Sequence, residues 1–472
     1  MVPSRSSARW LRVAALSAVI LMLFPEVGAF GAGSRKQGRR VGPTKLSVAQ
    51  AVQIAVARNL TMADARLEVD EKEYQRREAY SDFFPEIDIT YSATGYKYQQ
   101  STNVSALAYA HDSRRLAAVD SLGNVSDYPY RIDPYRGFTM SATITQPLYT
   151  GGRLLNNYKY AKLGVDYSAL QVEVSRQDLI LEVYQAYYQI IQAQKLLLVA
   201  DRSIRALEAL RNQTREFYKA GVVPKVDVLA TEGQLAQARV QKTQALTNIG
   251  TYTAALNFLL RYPQETPVDV LEDIEYRQNQ YRIPGIYATA AANRIEITQA
   301  NISVDQAMTL VGIAKADLLP SVAVQANGSR FNDDWNTFDH EAVNDWRIQG
   351  ILSWTFDMFR RRDTVKDRRA SQARSFIARE YLVEQIMEQV KTAYLDMTRS
   401  ESDIKDNGKA VEYRRENFRI NQERYKEQVA TYVEVLDAER QLALAEGDYY
   451  ISLVGYRINK AVLERNMGIL RQ

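Results

Sequence analysis

Cysteine is absent from this chain, and histidine occurs only at His111 and His340. The first absence excludes thiol catalysis, disulfides, thiolate metal sites and a lipidated cysteine. The two histidines lie in polar sequence and read as ordinary loop residues. No nucleophile, base and metal-ligand set gathers around the remaining acids, so the sequence gives no case for an enzyme, a metal or a cofactor. Charge of one sign is scarce too: 60 Lys and Arg against 56 Asp and Glu leave +4 over 472 residues. So small a balance gives no case for nucleic acid. Long apolar runs are missing after the first 30 residues, which excludes a later transmembrane helix. An exported chain of this kind can enter a membrane only as β-strands.

Export is what the N-terminus predicts. Arg5, Arg9 and Arg12 precede the apolar run Val13 to Phe24, and small residues come next. That order is the order of a secretory signal, and we assign residues 1–32 to it. Residues 33–45, rich in Gly, Arg, Lys and Pro, read as a disordered leader.

What is present is a stretch used twice. Tyr218, Val222, Val226, Val228, Leu229, Glu232, Gln234, Leu235 and Ala236 recur, 207 residues on, as Tyr425, Val429, Val433, Val435, Leu436, Glu439, Gln441, Leu442 and Ala443. The copies align without a gap, and a self-match at fixed spacing decides architecture. Each copy lies between two long helical patterns. In the first, Gly221 and Pro224 break the helix within four residues, which makes a tight antiparallel hairpin.

The pattern around these tips also repeats. A helix from Leu46 to about Ser81 ends at Asp82-Phe83-Phe84-Pro85, and one from about Ile286 ends at Asp317-Leu318-Leu319-Pro320. Each is succeeded by alternating runs. Ile87, Ile89, Tyr91 and Ala93 share one face, as do Phe138, Met140, Ala142 and Ile144. In the second half Val322, Val324 and Ala326 alternate with polar residues, and Trp346, Ile348, Gly350 and Leu352 do the same. Residues 99–137 and 332–344 read as loops between the strands of each pair. From Arg153 to Lys219 there is no proline and one glycine, which predicts a helix about 100 Å long. The resulting units are 46–262, a proline-bearing connector at 263–285, and 286–472. Four strands cannot close on themselves, and open edges are forbidden at lipid depth, so closure must come from other copies.

These residues resemble the outer-membrane efflux family, the TolC-type channels, from Leu46 to Leu470. The carriers are Leu46-Ser47-Val48-Ala49-Gln50-Ala51, the Phe-Phe-Pro and Leu-Leu-Pro starts of the strand pairs, Gln146-Pro147-Leu148-Tyr149-Thr150-Gly151-Gly152, and Val433-Glu434-Val435-Leu436-Asp437-Ala438. The resemblance implies an α+β membrane protein. Three copies would each give four strands to a twelve-stranded transmembrane barrel on a periplasmic helical barrel. It further implies an outer-membrane location, a periplasmic adaptor and an inner-membrane transporter as partners, and an exit duct for efflux or type I secretion. The connector and the C-terminus would lie at the equator of the helical barrel. A structural or adhesive coiled-coil protein of the envelope is the alternative, and it leaves the alternating strands unexplained.

Three groups of residues are candidate sites. Asp227, Glu434 and Asp437 lie at or just past the tips. Threefold rings of them would make a cation-attracting constriction whose members raise one another's pKa, unless they are ordinary first-turn acids. Tyr218 and Tyr425 would bond across neighbouring tips or pack between helices. Gly221, Val222, Val223, Gln428 and Val429 suit adaptor docking as exposed tip residues. Two departures from the family are visible: Gln428 stands where the family has a second tip glycine, and Ala430 stands where some relatives have arginine.

Overall fold

The computed structural model describes residues 45–96, 135–272, 274–278, 281–332, 335, 337, 343–357 and 359–470. The signal assignment, both histidines and most of the two loops lie outside these residues. Chain contacts separate Met1–Lys45 from Leu46–Gln472, and the second unit holds the architecture.

The chain runs β1 (Lys45–Leu46), α1 (Val48–Arg58), α2 (Leu60–Ser81), β2 (Glu86–Tyr96), β3 (Tyr135–Tyr149), α3 (Arg153–Lys219), α4 (Lys225–Leu260) and β4 (Asp269–Val270). It continues α5 (Ile283–Asn293), α6 (Ile295–Ala316), β5 (Ser321–Asn332), β6 (Val343–Ser353), α7 (Arg360–Lys426) and α8 (Tyr432–Asn466). The two halves share an order. Helices of 11, 22, 67 and 36 residues in the first correspond to helices of 11, 22, 67 and 35 in the second.

The opening helix differs from the sequence reading. One helix was expected from Leu46 to Ser81; the structure breaks it at Asn59, whose ψ of 142° is extended. Asn59 ends α1 and starts α2, its Oδ1 accepting from the Thr61 N–H at 2.8 Å. Arg294, at ψ 111°, breaks the second half in the same place, between α5 and α6. Ser47 begins α1 as a capping box: the Gln50 N–H donates to its Oγ, and its own N–H donates to Gln50 Oε1.

The sheet order is β2-β3-β5-β6, antiparallel throughout. Register aligns Ile87 with Ile144, Ile144 with Ala326 and Ala326 with Ile348. One face is therefore an apolar row, and its isoleucines are exposed in the single chain. The other face is polar and hydrogen-bonded across strands. Asn327 Nδ2 donates to Thr143 Oγ1 at 2.8 Å, and Gln349 Nε2 donates to Gln325 Oε1 at 2.8 Å. Within the described residues β2 and β6 each keep one unpaired edge.

At the end of β3 the Gly151-Gly152 turn lies against the end of α6. A Cβ on Gly151 would sit 2.7 Å from the Ala316 carbonyl oxygen, so the close approach demands glycine. Two cores hold the helices. One gathers α1, α3 and α4 around Tyr187, Ile190 and Leu256. The other gathers α5, α7 and α8 around Ile386, Val390 and Tyr456. Burying each such side chain stabilises by about 1.5–3 kcal/mol. The 263–285 connector is tied into these cores. The Tyr187 hydroxyl lies 2.8 and 2.7 Å from the carbonyls of Leu46 and Leu271, and Tyr456 donates to the Arg277 carbonyl at 2.7 Å.

Candidate functional site at the helical tips

Each tip closes α3 or α7 with the same pair of backbone bonds. In the first, the Gly221 N–H donates to Tyr218 O at 2.9 Å and the Val222 N–H to Phe217 O at 2.9 Å. In the second, Gln428 donates to Tyr425 O at 3.0 Å and Val429 to Arg424 O at 2.8 Å. This is the Schellman closure, and it needs a left-handed residue after the helix. Gly221 takes φ +74° at no cost in contacts, since nothing lies within 4 Å of its would-be Cβ. Gln428 takes φ +58° with a side chain, at a cost of about 1–2 kcal/mol. The departure from glycine thus changes the energy of the tip and leaves its shape intact.

The helices beyond the two turns start differently. Pro224 starts α4 without a side-chain cap. Thr431 starts α8 with a capping box: the Glu434 N–H donates to its Oγ1, and its own N–H donates to Glu434 Oε1. Glu434 also lies 3.7 Å from Arg424. Asp437 accepts from Arg440 Nη2 at 2.7 Å and from Gln441. The Arg440 bond, with the Gln441 donor and the Arg414 charge behind it, holds this carboxyl below its ordinary range. That direction is opposite to the rise expected from repulsion in a ring. Both acids are exposed.

Asp227, which aligns with Glu434 in the repeat, is 7% exposed. Burial pushes its carboxyl up. Tyr425 is also buried, at 3%. Its hydroxyl lies 3.1 Å from Thr214 Oγ1, and its ring meets Phe217 edge-on at 5.6 Å. Tyr425 therefore packs one tip of the chain against the other, within one copy. Tyr218 is exposed. Val222 and Val429 present bare apolar surface at 49% and 68% exposure, beside the exposed Gly221 and Gln428 and the half-buried Val223.

Below the tips the sequence reading missed two charged sites. Glu439, on α8, is buried between helices, and Ser203 of α3 is its hydrogen-bonding partner. Further along, Arg465 of α8 bridges Asp178 of α3 at 2.6 Å and Glu296 of α6 at 3.0 Å. Arg294 joins Glu296 at 3.1 Å and donates to the Arg465 carbonyl at 3.1 Å and to Gln389 Oε1 of α7 at 3.1 Å. Two buried guanidiniums thus tie α3, α6, α7 and α8 together where the α5–α6 break falls. Their partners lie up to 287 residues away in sequence, which no local pattern reveals.

A family model described as outer membrane efflux protein matches residues 51–260 and 286–450. The chain belongs to that family. It is an outer-membrane protein and not an enzyme. Among known proteins it is 22% identical over 427 residues to the probable efflux pump outer membrane protein TtgC of Pseudomonas putida, with 89% of this chain and 81% of TtgC aligned. It is 23% identical over 307 residues to nodulation protein T of Rhizobium leguminosarum bv. trifolii. That alignment takes 61% of this chain and spans 63% of the relative's length, just under two thirds. The solved outer-membrane channel CmeC of Campylobacter jejuni superposes with a TM-score of 0.73 at 16% identity, covering 90% of this chain and 86% of CmeC.

In this efflux-family protein Glu439 makes a pH-dependent contribution. Burial raises its carboxyl, and the Ser203 bond offsets only part of that rise. A raised folded pKa means that the folded state keeps the proton in a window where the unfolded chain has lost it. Stability therefore falls as pH rises from about 4.5 through the folded value, and stays low above it. Glu439→Gln removes that loss. We expect the variant to melt higher than wild type at neutral pH by circular dichroism, and the gap to close as pH falls toward about 4.5. A gap that is constant with pH contradicts this role.

Proposed function

We propose that this chain is the outer-membrane exit duct of a tripartite efflux or type I secretion system. Three copies form a twelve-stranded barrel continued by a periplasmic helical barrel. The observation that carries the reading is the sheet. It has an apolar face, a polar face laced by Asn327–Thr143 and Gln349–Gln325, and two unpaired edges. Such a sheet is stable in lipid only when copies join edge to edge, with the apolar row toward lipid and the polar row toward a lumen. The two halves are internal repeats, supported by their matching helix lengths. TtgC is described as an efflux pump component, which supports an inner-membrane pump and a periplasmic adaptor as partners. The adaptor docks on Gly221, Val222, Val223, Gln428 and Val429.

Asp227, Glu434 and Asp437 are the constriction residues of this duct. Glu434 and Asp437 are exposed and charged, and three copies of each on one axis would draw cations. Asp227 is covered within the copy and reaches the path only when its tip opens. In planar-bilayer recording the wild-type protein should give discrete, cation-selective steps. The double variant Glu434→Ala/Asp437→Ala should keep the steps and lose most of the selectivity. Because Arg440 keeps Asp437 ionised below the ordinary carboxylate range, selectivity should persist on mild acidification. Unchanged selectivity in the double variant would make these acids simple helix-start residues. No conductance from the intact wild type would favour the structural coiled-coil alternative.

A further inference from the structure

The start of α7 carries a charge that its counterpart in the first half lacks. Between Arg360 and Arg374 seven cations stand with two carboxylates; between Arg153 and Tyr167, the aligned stretch, there are three and one. The fold needs no such excess, since α3 begins at the same point without it. Three of the cations are occupied. Arg360 pairs with Asp357, Lys366 pairs with Asp363 at 2.8 Å, and Arg361 donates to the Asp317 carbonyl at the end of α6. Arg362, Arg368 and Arg369 are exposed and have no carboxylate partner among the described residues.

Directly before them the chain presents aromatic surface. Trp354 and Phe356 come just after the last residue of β6 and keep the parity of its apolar row, with ring centroids 4.3 Å apart. The Trp354 indole N–H donates to the Leu318 carbonyl at 3.2 Å, which fixes the ring at the sheet's end. Phe359 is 69% exposed one residue before α7. Apolar row, aromatic collar and unpaired cations thus succeed one another within about 25 residues. This is the order of acyl chain, interface and headgroup along a leaflet.

We propose that the first turns of α7 bind the phosphate headgroups of anionic phospholipid in the periplasm-facing leaflet. Arg362, Arg368 and Arg369 take the phosphates, while Trp354, Phe356 and Phe359 lie at the interface between them and the acyl chains. This rests on the exit-duct reading, which places the helical end of the sheet at that leaflet. The partner is lipid rather than protein because the cations adjoin an apolar row on the sheet's face, and copies joined edge to edge leave that face turned toward lipid.

The test is native mass spectrometry of the full-length, detergent-extracted protein titrated with an equal mixture of phosphatidylglycerol and phosphatidylcholine. Wild type should retain phosphatidylglycerol in preference by roughly tenfold. The triple variant Arg362→Gln/Arg368→Gln/Arg369→Gln should bind both lipids equally. The triple lysine variant at the same positions should keep most of the preference, because it keeps the charge. No preference in wild type, or a preference that survives the glutamine variant, overturns the proposal and leaves the exit-duct reading standing. A wild-type protein that never enters membranes overturns the exit-duct reading and this proposal with it.

Discussion

Ile144→Arg should strip this protein from the outer membrane as an assembled species, whereas Thr143→Arg should leave most of it in place. The two residues are neighbours on β3 and point to opposite faces. Ile144 stands between Ile87 and Ala326 in the apolar row and is 42% exposed in the single chain. If that row faces lipid as proposed, an arginine there sits in hydrocarbon, at a cost of about 2–4 kcal/mol per copy near the midplane. If copies assemble into a closed ring, the penalty recurs in every copy. Thr143 lies on the polar face, where its Oγ1 accepts from Asn327. Losing that bond costs about 1 kcal/mol, and in the proposed barrel the new guanidinium faces a water-filled lumen. The measurement is the amount of assembled protein in purified outer membranes by blotting without heating. Equal loss for both variants would contradict the assignment of faces.

The second large effect lies far from the sheet. Arg465→Met should destabilise the helical body by up to about 3 kcal/mol, the low end for breaking a buried ion pair, because it removes the cation shared by Asp178 and Glu296 and leaves Glu296 to Arg294 alone. Arg465 is 7% exposed and touches Asp178 and Glu296; without it Asp178 loses its cation and Glu296 keeps only Arg294. Asp178 is the exposed end of the cluster, with a side chain 52% accessible, so Asp178→Ala should cost no more than about 1 kcal/mol. This asymmetry is the diagnostic. Thermal midpoints monitored by circular dichroism should fall steeply for Arg465→Met and hardly for Asp178→Ala. Similar midpoints for the two would mean that the cluster is loosely hydrated rather than a clamp.

The degree to which the fold could be read from the chain varied with the range of the interactions. Elements set by local chemistry were legible. Ser47 capped α1 as its side chain dictates, Pro85 and Pro320 bounded the strands, and α3 and α4 began and ended where glycine and proline put them. The break at Asn59 was not foreseen, because the apolar spacing runs through it and no proline marks it. Asparagine's dual use as end and start of a helix was the available signal. Arg294 gave no comparable signal, since its break is held by Gln389 and Glu296 rather than by a cap. The two hairpins were visible in alternation, but the β3–β5 pairing that joins them links residues about 180 apart and had no local trace. At the tips the repeat fixed the closure, and even Gln428 conforms to it. The burial of Asp227 and Tyr425 depends on one tip packing on the other. The repeat could not show which of two aligned acids, Asp227 or Glu434, would be covered.

The central claim is that this chain closes its sheet only in company. Mass measurement on the full-length protein, extracted from outer membranes in mild detergent and kept unheated, tests it most directly. We predict a single species of three copies, resistant to detergent until heated, since only three sets of four strands close a twelve-stranded barrel. A stable, folded single copy in the same detergent, with β2 and β6 still unpaired, would contradict the account.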